Sequence, residues 1–177
     1  MVDNFGRVDW NTLWMSVAFC FSQKSIDPST KHGCCIIDKN NNFLSMGYNG
    51  FPRDCLDNEM PLTRPEKYAG IIHAEENCII NAKKDLTGGI LYVSGMTCSK
   101  CFSKLLNAGV SKIIYGPINS HCLTDEDYNL INLMNISKKT GKHKIEIIKY
   151  EDICEISEIY EFLDVVKKYI KEKTDNA

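Results

Sequence analysis

Short buried strands and amphipathic helices alternate along this chain, and their order constrains the fold more than any single motif does. Hydrophobic runs bounded by turn residues predict strands at 33–38, 43–48, 90–94, 112–115 and 144–148. Helical periodicity and capping residues predict helices at 9–24, 73–84, 98–108, 124–137 and 154–171, with Thr124 and Asp127 as a capping box. This order is typical of an α/β protein with one central mixed sheet of five strands and helices on both faces.

The length of the chain indicates one domain. A chain of 177 residues buries about 70% of its unfolded surface, so no disulfide or metal is needed merely to fold it. We expect a single domain over residues 1–177, with a motif-bearing core at about 10–150 and a C-terminal helix at about 154–172. A long polar segment at 49–68 contains three prolines and is expected near the functional site, because such loops are usually functional.

The charge balance argues against a nucleic-acid partner. The chain has 23 acidic and 21 basic side chains, for a net charge of −2, and its basic stretch at 167–173 is typical of a solvated helix end. No apolar run is long enough to span a bilayer, and the N-terminal residues lack the apolar core of a secretion signal. We therefore expect a cytoplasmic protein, or one in the host cytoplasm if viral, with no membrane partner.

Two short motifs contain side chains suited to binding a metal and transferring protons. The first is His73-Ala74-Glu75, and the second is Cys98-Ser99-Lys100-Cys101. The two cysteines share a face at the start of a helix, where the helix N-terminus lowers a thiol pKa. One imidazole nitrogen and two thiolates suit Zn²⁺ and leave its fourth position open, as in catalytic sites. Glu75 is then expected beside the metal, as a proton shuttle rather than a ligand.

Taken alone, each motif is also compatible with a different kind of site. A C-x-x-C pair can be a redox pair or half of a structural zinc site, and a single histidine is more often a core residue. A thioredoxin-like pair would follow the first strand of a βαβ unit, whereas Cys98 comes late and has a histidine partner. A second, structural zinc is not favoured over buried thiols, because no ligand spacing occurs among Cys20, Cys55, Cys78, His121 and Cys122.

Three further stretches resemble the deoxycytidylate (dCMP) deaminase family. They read SIDPSTKHG at 25–33, GYNGFP at 47–52 and KYAGIIHAEEN at 67–77, and the resemblance covers roughly residues 10–120. H-x-E followed by C-x-x-C is the pattern of zinc-dependent nucleobase deaminases. The resemblance implies a cytidine-deaminase-like three-layer α-β-α sandwich. Two residues depart from the family pattern: Thr97 replaces a proline and is expected to cap the helix by its hydroxyl, and Ser29 replaces a frequent asparagine.

The resemblance also implies the reaction and its residues. The reaction is hydrolysis of dCMP to dUMP and ammonia, a step that supplies dUMP for dTMP synthesis. His73, Cys98 and Cys101 are the implied ligands of the catalytic Zn²⁺, and Glu75 is the implied proton shuttle. The implied substrate-binding residues are Asn49 at the sugar, Ser25 and Thr30 near the 5′-phosphate, and Ala74 in the pocket. Lys24 and Lys31 flank the phosphate loop and would add charge there.

Regulation and assembly are implied by the same resemblance. It implies a homo-oligomer, a hexamer, that is activated by dCTP and inhibited by dTTP with Mg²⁺, with the nucleotide site at Gly47, Tyr48 and Gly50. The alternatives are another zinc deaminase, acting on cytidine or on adenosine in tRNA, and a non-catalytic zinc-stabilised binding domain. The mild acidity argues against tRNA, and the intact Glu75 argues against a purely structural site. Turnover discriminates between these alternatives, whereas zinc content does not.

Overall fold

A computed structural model describes residues 6–119, 123–136 and 144–175. The described residues form one five-stranded sheet with the order β2-β1-β3-β4-β5. Its strands are β1 (Gly33–Ile37), β2 (Phe43–Tyr48), β3 (Ile90–Gly95), β4 (Lys112–Ile118) and β5 (Glu146–Lys149). Strand β1 is antiparallel to β2 and β3, whereas β3, β4 and β5 are parallel to one another. The predicted mixed sheet of five strands is therefore confirmed.

Helices cover both faces of this sheet. The described residues form α1 (Trp10–Ser22), α2 (Ala74–Asn81), α3 (Ser99–Asn107), α4 (Asp125–Ile136) and α5 (Ile156–Thr174). Cys34 and Ile36 of β1 face a core that contains residues of α2, α3 and α4, and their neighbours Cys35 and Ile37 face a second core with residues of α1 and α5. Alternate side chains of one buried strand thus fill two cores, which is the predicted three-layer arrangement.

Side-chain capping marks the starts of α1 and α4, and most helix boundaries lie within a few residues of the predicted ones. Helix α1 begins after Asp9, whose carboxylate accepts a hydrogen bond from the N–H of Asn11 at 2.8 Å. The predicted capping box at α4 is present, since the N–H groups of Thr124 and Asp127 each donate to the other residue's side chain at 3.2 and 3.3 Å. The predicted end of this helix at residue 137 lies outside the described residues.

The long segment after β2 returns to the sheet beside α2. It contains short 3₁₀ helices at Asp57–Glu59 and Glu66–Ala69, and Gly50 forms an isolated antiparallel bridge with Ile72. This bridge joins the beginning of the segment to its end, directly before α2. Within the described ranges, no helix combines the length and the apolar character that crossing a membrane requires.

Candidate active site

Close packing between β2 and α2 positions the first motif. A Cβ atom on Gly47 would lie 2.1 Å from the carbonyl oxygen of Ala74 and 2.5 Å from the backbone nitrogen of Cys78, so only glycine permits this approach. The side-chain amide of Asn77 also donates to the Tyr48 carbonyl oxygen at 2.8 Å. Gly47 and Tyr48 thus have a structural role here, and the effector site expected at these residues stays a prediction.

The structure brings together the three side chains expected to bind zinc. His73 is the N-cap residue of α2, Cys98 is the N-cap residue of α3, and Cys101 lies in the first turn of α3. The Nδ1 atom of His73 lies 3.5 Å from Sγ of Cys98 and 3.4 Å from Sγ of Cys101, and the three donor atoms lie within 4.8 Å of one another. Tetrahedral Zn²⁺ with ordinary bond lengths separates such nitrogen and sulfur ligands by about 3.6 Å. The donor set therefore fits zinc with one position left open.

The thiol of Cys98 is easily ionised in this arrangement. Its hydrogen bond with Cys101 is the largest influence and, with that from His73, lowers the pKa of the Cys98 thiol to about 4 despite partial burial. A thiolate is the form that binds a metal. One of the two thiols is therefore available as a thiolate at neutral pH, whereas the same hydrogen bond raises the pKa of the Cys101 thiol.

Glu75 lies beside the donor set and is almost fully buried. His73 has extended backbone dihedrals, φ −70° and ψ 157°, and Ala74 begins the helix, so residues two apart can line one cleft. The exposed fraction of Glu75 is 5%, and burial raises the pKa of its carboxyl. A carboxyl that takes up a proton more readily than usual suits acid–base catalysis.

The predicted substrate residues divide into two groups. Thr30, Asn49 and Ala74 line the cleft that contains His73, Glu75 and Cys98. Ser25 is not among the lining residues. It is 2% exposed, and its hydroxyl accepts a hydrogen bond from the N–H of Asp27 at 3.2 Å. Ser25 therefore holds the turn that precedes β1.

Asn49 fastens this same turn to the end of β2. Its Oδ1 atom accepts a hydrogen bond from the N–H of His32 at 2.7 Å, and its Nδ2 atom donates to the carbonyl oxygen of Thr30 at 3.0 Å. Both ends of the amide thus bind backbone. The expected contact with a sugar stays a prediction, for which Oδ1 has a second lone pair.

Lys67 and Asp27 are cleft residues to which the sequence motifs assigned no role. The Lys67 ammonium donates to Oδ1 of Asp27 at 2.6 Å and to the hydroxyl of Ser29 at 3.0 Å, and the two charged side chains are 2% and 7% exposed. Asp27 also accepts from the N–H groups of Ser29 and Thr30 at 2.8 and 3.3 Å. A lysine in a polar segment carries no periodic signal of burial, so only the lysine–tyrosine pair within the resemblance pointed to this position.

The expected cap at Thr97 is wrong. Cys98 is the N-cap residue of α3, and the Thr97 hydroxyl is buried without a hydrogen-bond partner among the described residues. The start of α3 is held from α4 instead, because Asp127 accepts hydrogen bonds from the N–H and hydroxyl of Ser99 at 3.0 and 2.5 Å. A carboxylate of a neighbouring helix thus supplies the capping contact.

The residues considered for a second zinc are only partly described. Cys20 and Cys55 are exposed, Cys78 is buried in the core, and His121 and Cys122 lie outside the described residues. The expected burial of these thiols is therefore confirmed at Cys78 and wrong at Cys20 and Cys55, which lie on the surface, and it stays a prediction at residue 122.

Fold and site together define the class of the protein. A mixed α/β sandwich that presents a His/Cys/Cys set and a buried glutamate at two helix N-termini is a cytidine-deaminase-like fold with a zinc-binding region. Residues 8–117 match the family model for the cytidine and deoxycytidylate deaminase zinc-binding region, and the chain belongs to this family.

Curated relatives and a solved structure agree with this assignment. The chain is 34% identical over 115 residues to a deoxycytidylate deaminase of Pongo abelii and 35% identical over 115 residues to that of Mus musculus. Each match covers 61% of this chain and 65% of the relative. A dCMP deaminase from the cyanophage S-TIM5, solved in complex with dCMP and dUMP, superposes with a TM-score of 0.57 at 26% identity, over 77% of this chain and 93% of that one.

Proposed function

We propose that this chain catalyses the hydrolytic deamination of dCMP to dUMP and ammonia. The observation that carries the proposal is a single cleft that joins the His73, Cys98 and Cys101 donor set and Glu75 to a wall with the cationic side chain of Arg64. The end of the cleft with the donor set and Glu75 suits hydrolytic removal of an amine. The cationic wall suits an anionic nucleotide. The names of the relatives and the nucleotides bound by the cyanophage enzyme support the same substrate.

In this proposal the chain's own residues hold the metal and move the protons. His73, Cys98 and Cys101 bind zinc, which supplies an activated water at neutral pH when bound. The Glu75 carboxylate accepts a proton from the attacking water and delivers it to N3 of cytosine. Glu75 then takes the second proton from the new C4 hydroxyl and transfers it to the amine, the C4–N bond breaks as the C4 carbonyl forms, and water and dCMP yield dUMP and ammonia. The raised pKa of Glu75 favours the protonated form that this carboxyl adopts between accepting and delivering each proton.

The proposal extends to the contacts and regulation that family resemblance implies. Thr30, Asn49 and Ala74 contact dCMP in the cleft. A hexamer in the cytoplasm is activated by dCTP and inhibited by dTTP with Mg²⁺, at a site that includes Gly47, Tyr48 and Gly50. Such control requires two conformations with different affinities for the two triphosphates. These regulatory features rest on the resemblance alone.

Ammonia release tests the proposed reaction directly. Zinc-loaded protein is assayed with dCMP, deoxycytidine, CMP and dCTP, each with and without dCTP or dTTP as effector. We expect strong preference for dCMP, with activation by dCTP and suppression by dTTP. Preference for a nucleoside would move the chain to the nucleoside deaminases. No turnover of any of the four by folded, zinc-loaded protein would contradict the proposal and favour a binding domain or an untested nucleic-acid substrate.

A further inference from the structure

The long segment between β2 and α2 contributes charge to the cleft. Arg64, Lys67 and Tyr68 of this segment line the cleft, and the acidic side chains among its described lining residues are Asp27 and Glu75. Lys67 and Asp27 lie 2.6 Å apart and are both buried, so their charges largely cancel. Glu75 belongs to the end with the metal donors. Arg64 therefore leaves a net positive charge on the wall formed by this segment.

An aromatic ring lies beside this arginine. The guanidinium carbon of Arg64 lies 5.8 Å from the centroid of the Tyr68 ring, and the Lys67 ammonium lies 6.0 Å from the same centroid. These distances are typical of cation–π contacts, in which the ring limits the orientations of the guanidinium. A guanidinium held in this way presents its planar set of N–H donors, a geometry that matches phosphate oxygens in a bidentate contact.

The lysines expected to supply charge for a phosphate do not reach the cleft. Lys24 and Lys31 are exposed and are not among the lining residues, whereas Thr30 and Arg64 are. The Thr30 hydroxyl adds a neutral donor to the same cleft. The hydrogen-bond donors for an anion thus come from the turn before β1 and from the long segment.

From these contacts we propose that Arg64, oriented by the Tyr68 ring, binds the 5′-phosphate of the ligand and makes the cleft select a nucleoside monophosphate over the corresponding nucleoside. This inference rests on the proposed function, because it assumes that a pyrimidine nucleotide occupies the cleft. It assigns phosphate selectivity to one side chain that the sequence motifs did not indicate.

Product binding tests the inference without turnover. Calorimetric titration of the zinc-loaded protein with dUMP and with deoxyuridine measures what the phosphate contributes. We expect dUMP to bind about 10- to 100-fold more tightly than deoxyuridine, the range of a charge-assisted contact, and Arg64→Ala to lose most of that preference. Arg64→Lys retains part of it, and Tyr68→Phe retains it because the ring remains.

The matched control is Arg53→Ala. Arg53 is an exposed arginine of the same segment that contacts Asn81 and is not among the cleft-lining residues, so its removal leaves the preference unchanged. An unchanged preference in Arg64→Ala overturns the inference, and so does a wild-type protein that binds both ligands equally. A failure of the proposed function would look different. In that case dCMP would release no ammonia, while the preference for dUMP and its dependence on Arg64 would persist.

Discussion

The ammonium of Lys67 lies 2.6 Å from a carboxylate oxygen of Asp27, 40 residues earlier in the chain, and both side chains are buried. Asp27 organises the turn before β1 through the N–H groups of Ser29 and Thr30. Lys67 belongs to the segment that ends at α2. The pair thus joins the two non-helical walls of the cleft and holds Thr30 and Arg64 on the same site.

Replacing one member of this pair should destabilise the protein more than replacing both members together. Lys67→Met or Asp27→Asn alone leaves a buried charge or a donor without its partner, and we expect each to lower the free energy of unfolding by about 3–5 kcal/mol. The double variant should cost clearly less than the sum. Urea denaturation measures all three. As the control, Lys112→Met removes a more exposed pair with Glu146, at 2.8 Å, and should cost at most about 1 kcal/mol. Additive effects at 27 and 67 would contradict the coupling.

The same pair should give an acid-dependent contribution to stability. Burial alone would raise the pKa of Asp27, but hydrogen bonds from Lys67, Ser29 and Thr30 bring it below its ordinary value of 3.8. A depressed pKa in the folded state stabilises the protein above the ordinary pKa, and the contribution disappears as pH falls from 3.8 through the lower folded value. The stability difference between wild type and the double variant should be constant from pH 7 to about 5 and shrink below about pH 4. A constant difference down to about pH 3 would contradict this assignment.

Glu75→Gln should separate proton transfer from metal binding. The amide preserves size but cannot accept and return protons, so we expect turnover of dCMP to fall by about 10²- to 10⁴-fold. Zinc content should stay at the wild-type value, because Glu75 is not in the donor set. The matched control is Glu76→Gln, which removes a half-exposed partner of Lys104 at 2.6 Å and should leave turnover nearly unchanged. Wild-type turnover in Glu75→Gln would remove Glu75 from the mechanism.

Loss of one donor should abolish stoichiometric zinc. Cys101→Ser replaces a thiolate with a weak ligand, and we expect zinc content, measured by atomic emission after dialysis, to fall well below one ion per chain. The melting temperature of the wild type should fall on chelation, and that of Cys101→Ser should respond little. Cys20→Ser is the control, since Cys20 is exposed and outside the donor set. Full zinc occupancy in Cys101→Ser would show that other residues bind the metal.

Thr97→Val should not destabilise the protein. The change removes a buried hydroxyl without a hydrogen-bond partner among the described residues, and we expect the free energy of unfolding to rise by up to about 1 kcal/mol. Thr12→Val is the control, because the equally buried hydroxyl of Thr12 bonds the Tyr150 hydroxyl at 3.1 Å and its loss should destabilise. A clear loss of stability in Thr97→Val would indicate that its hydroxyl serves a nearby group such as the Glu75 carboxyl.

Local signals predicted much of the fold and the centre of the candidate site. Strand and helix patterns depend on residues two to four positions apart, which is why the five strands and the Thr124 capping box follow from the sequence. The same short spacing groups His73 with Glu75 and Cys98 with Cys101. The choice of one histidine and two cysteines as a metal set then follows from ligand chemistry, and the structure places their donor atoms within 4.8 Å.

Only the tertiary structure decided which distant side chains share the cleft. Lys67 is buried because Asp27 lies opposite it. The Ser25 hydroxyl bonds the backbone of its own turn instead of lining the cleft. Arg64 reaches the cleft because its segment folds back where Gly50 pairs with Ile72. None of these contacts repeats along the chain, so no periodic pattern reports them. The sequence by itself determined the elements and the reactive residues, whereas loop packing across tens of residues determined the charge of the cleft wall, because that charge depends on which long-range pairs form.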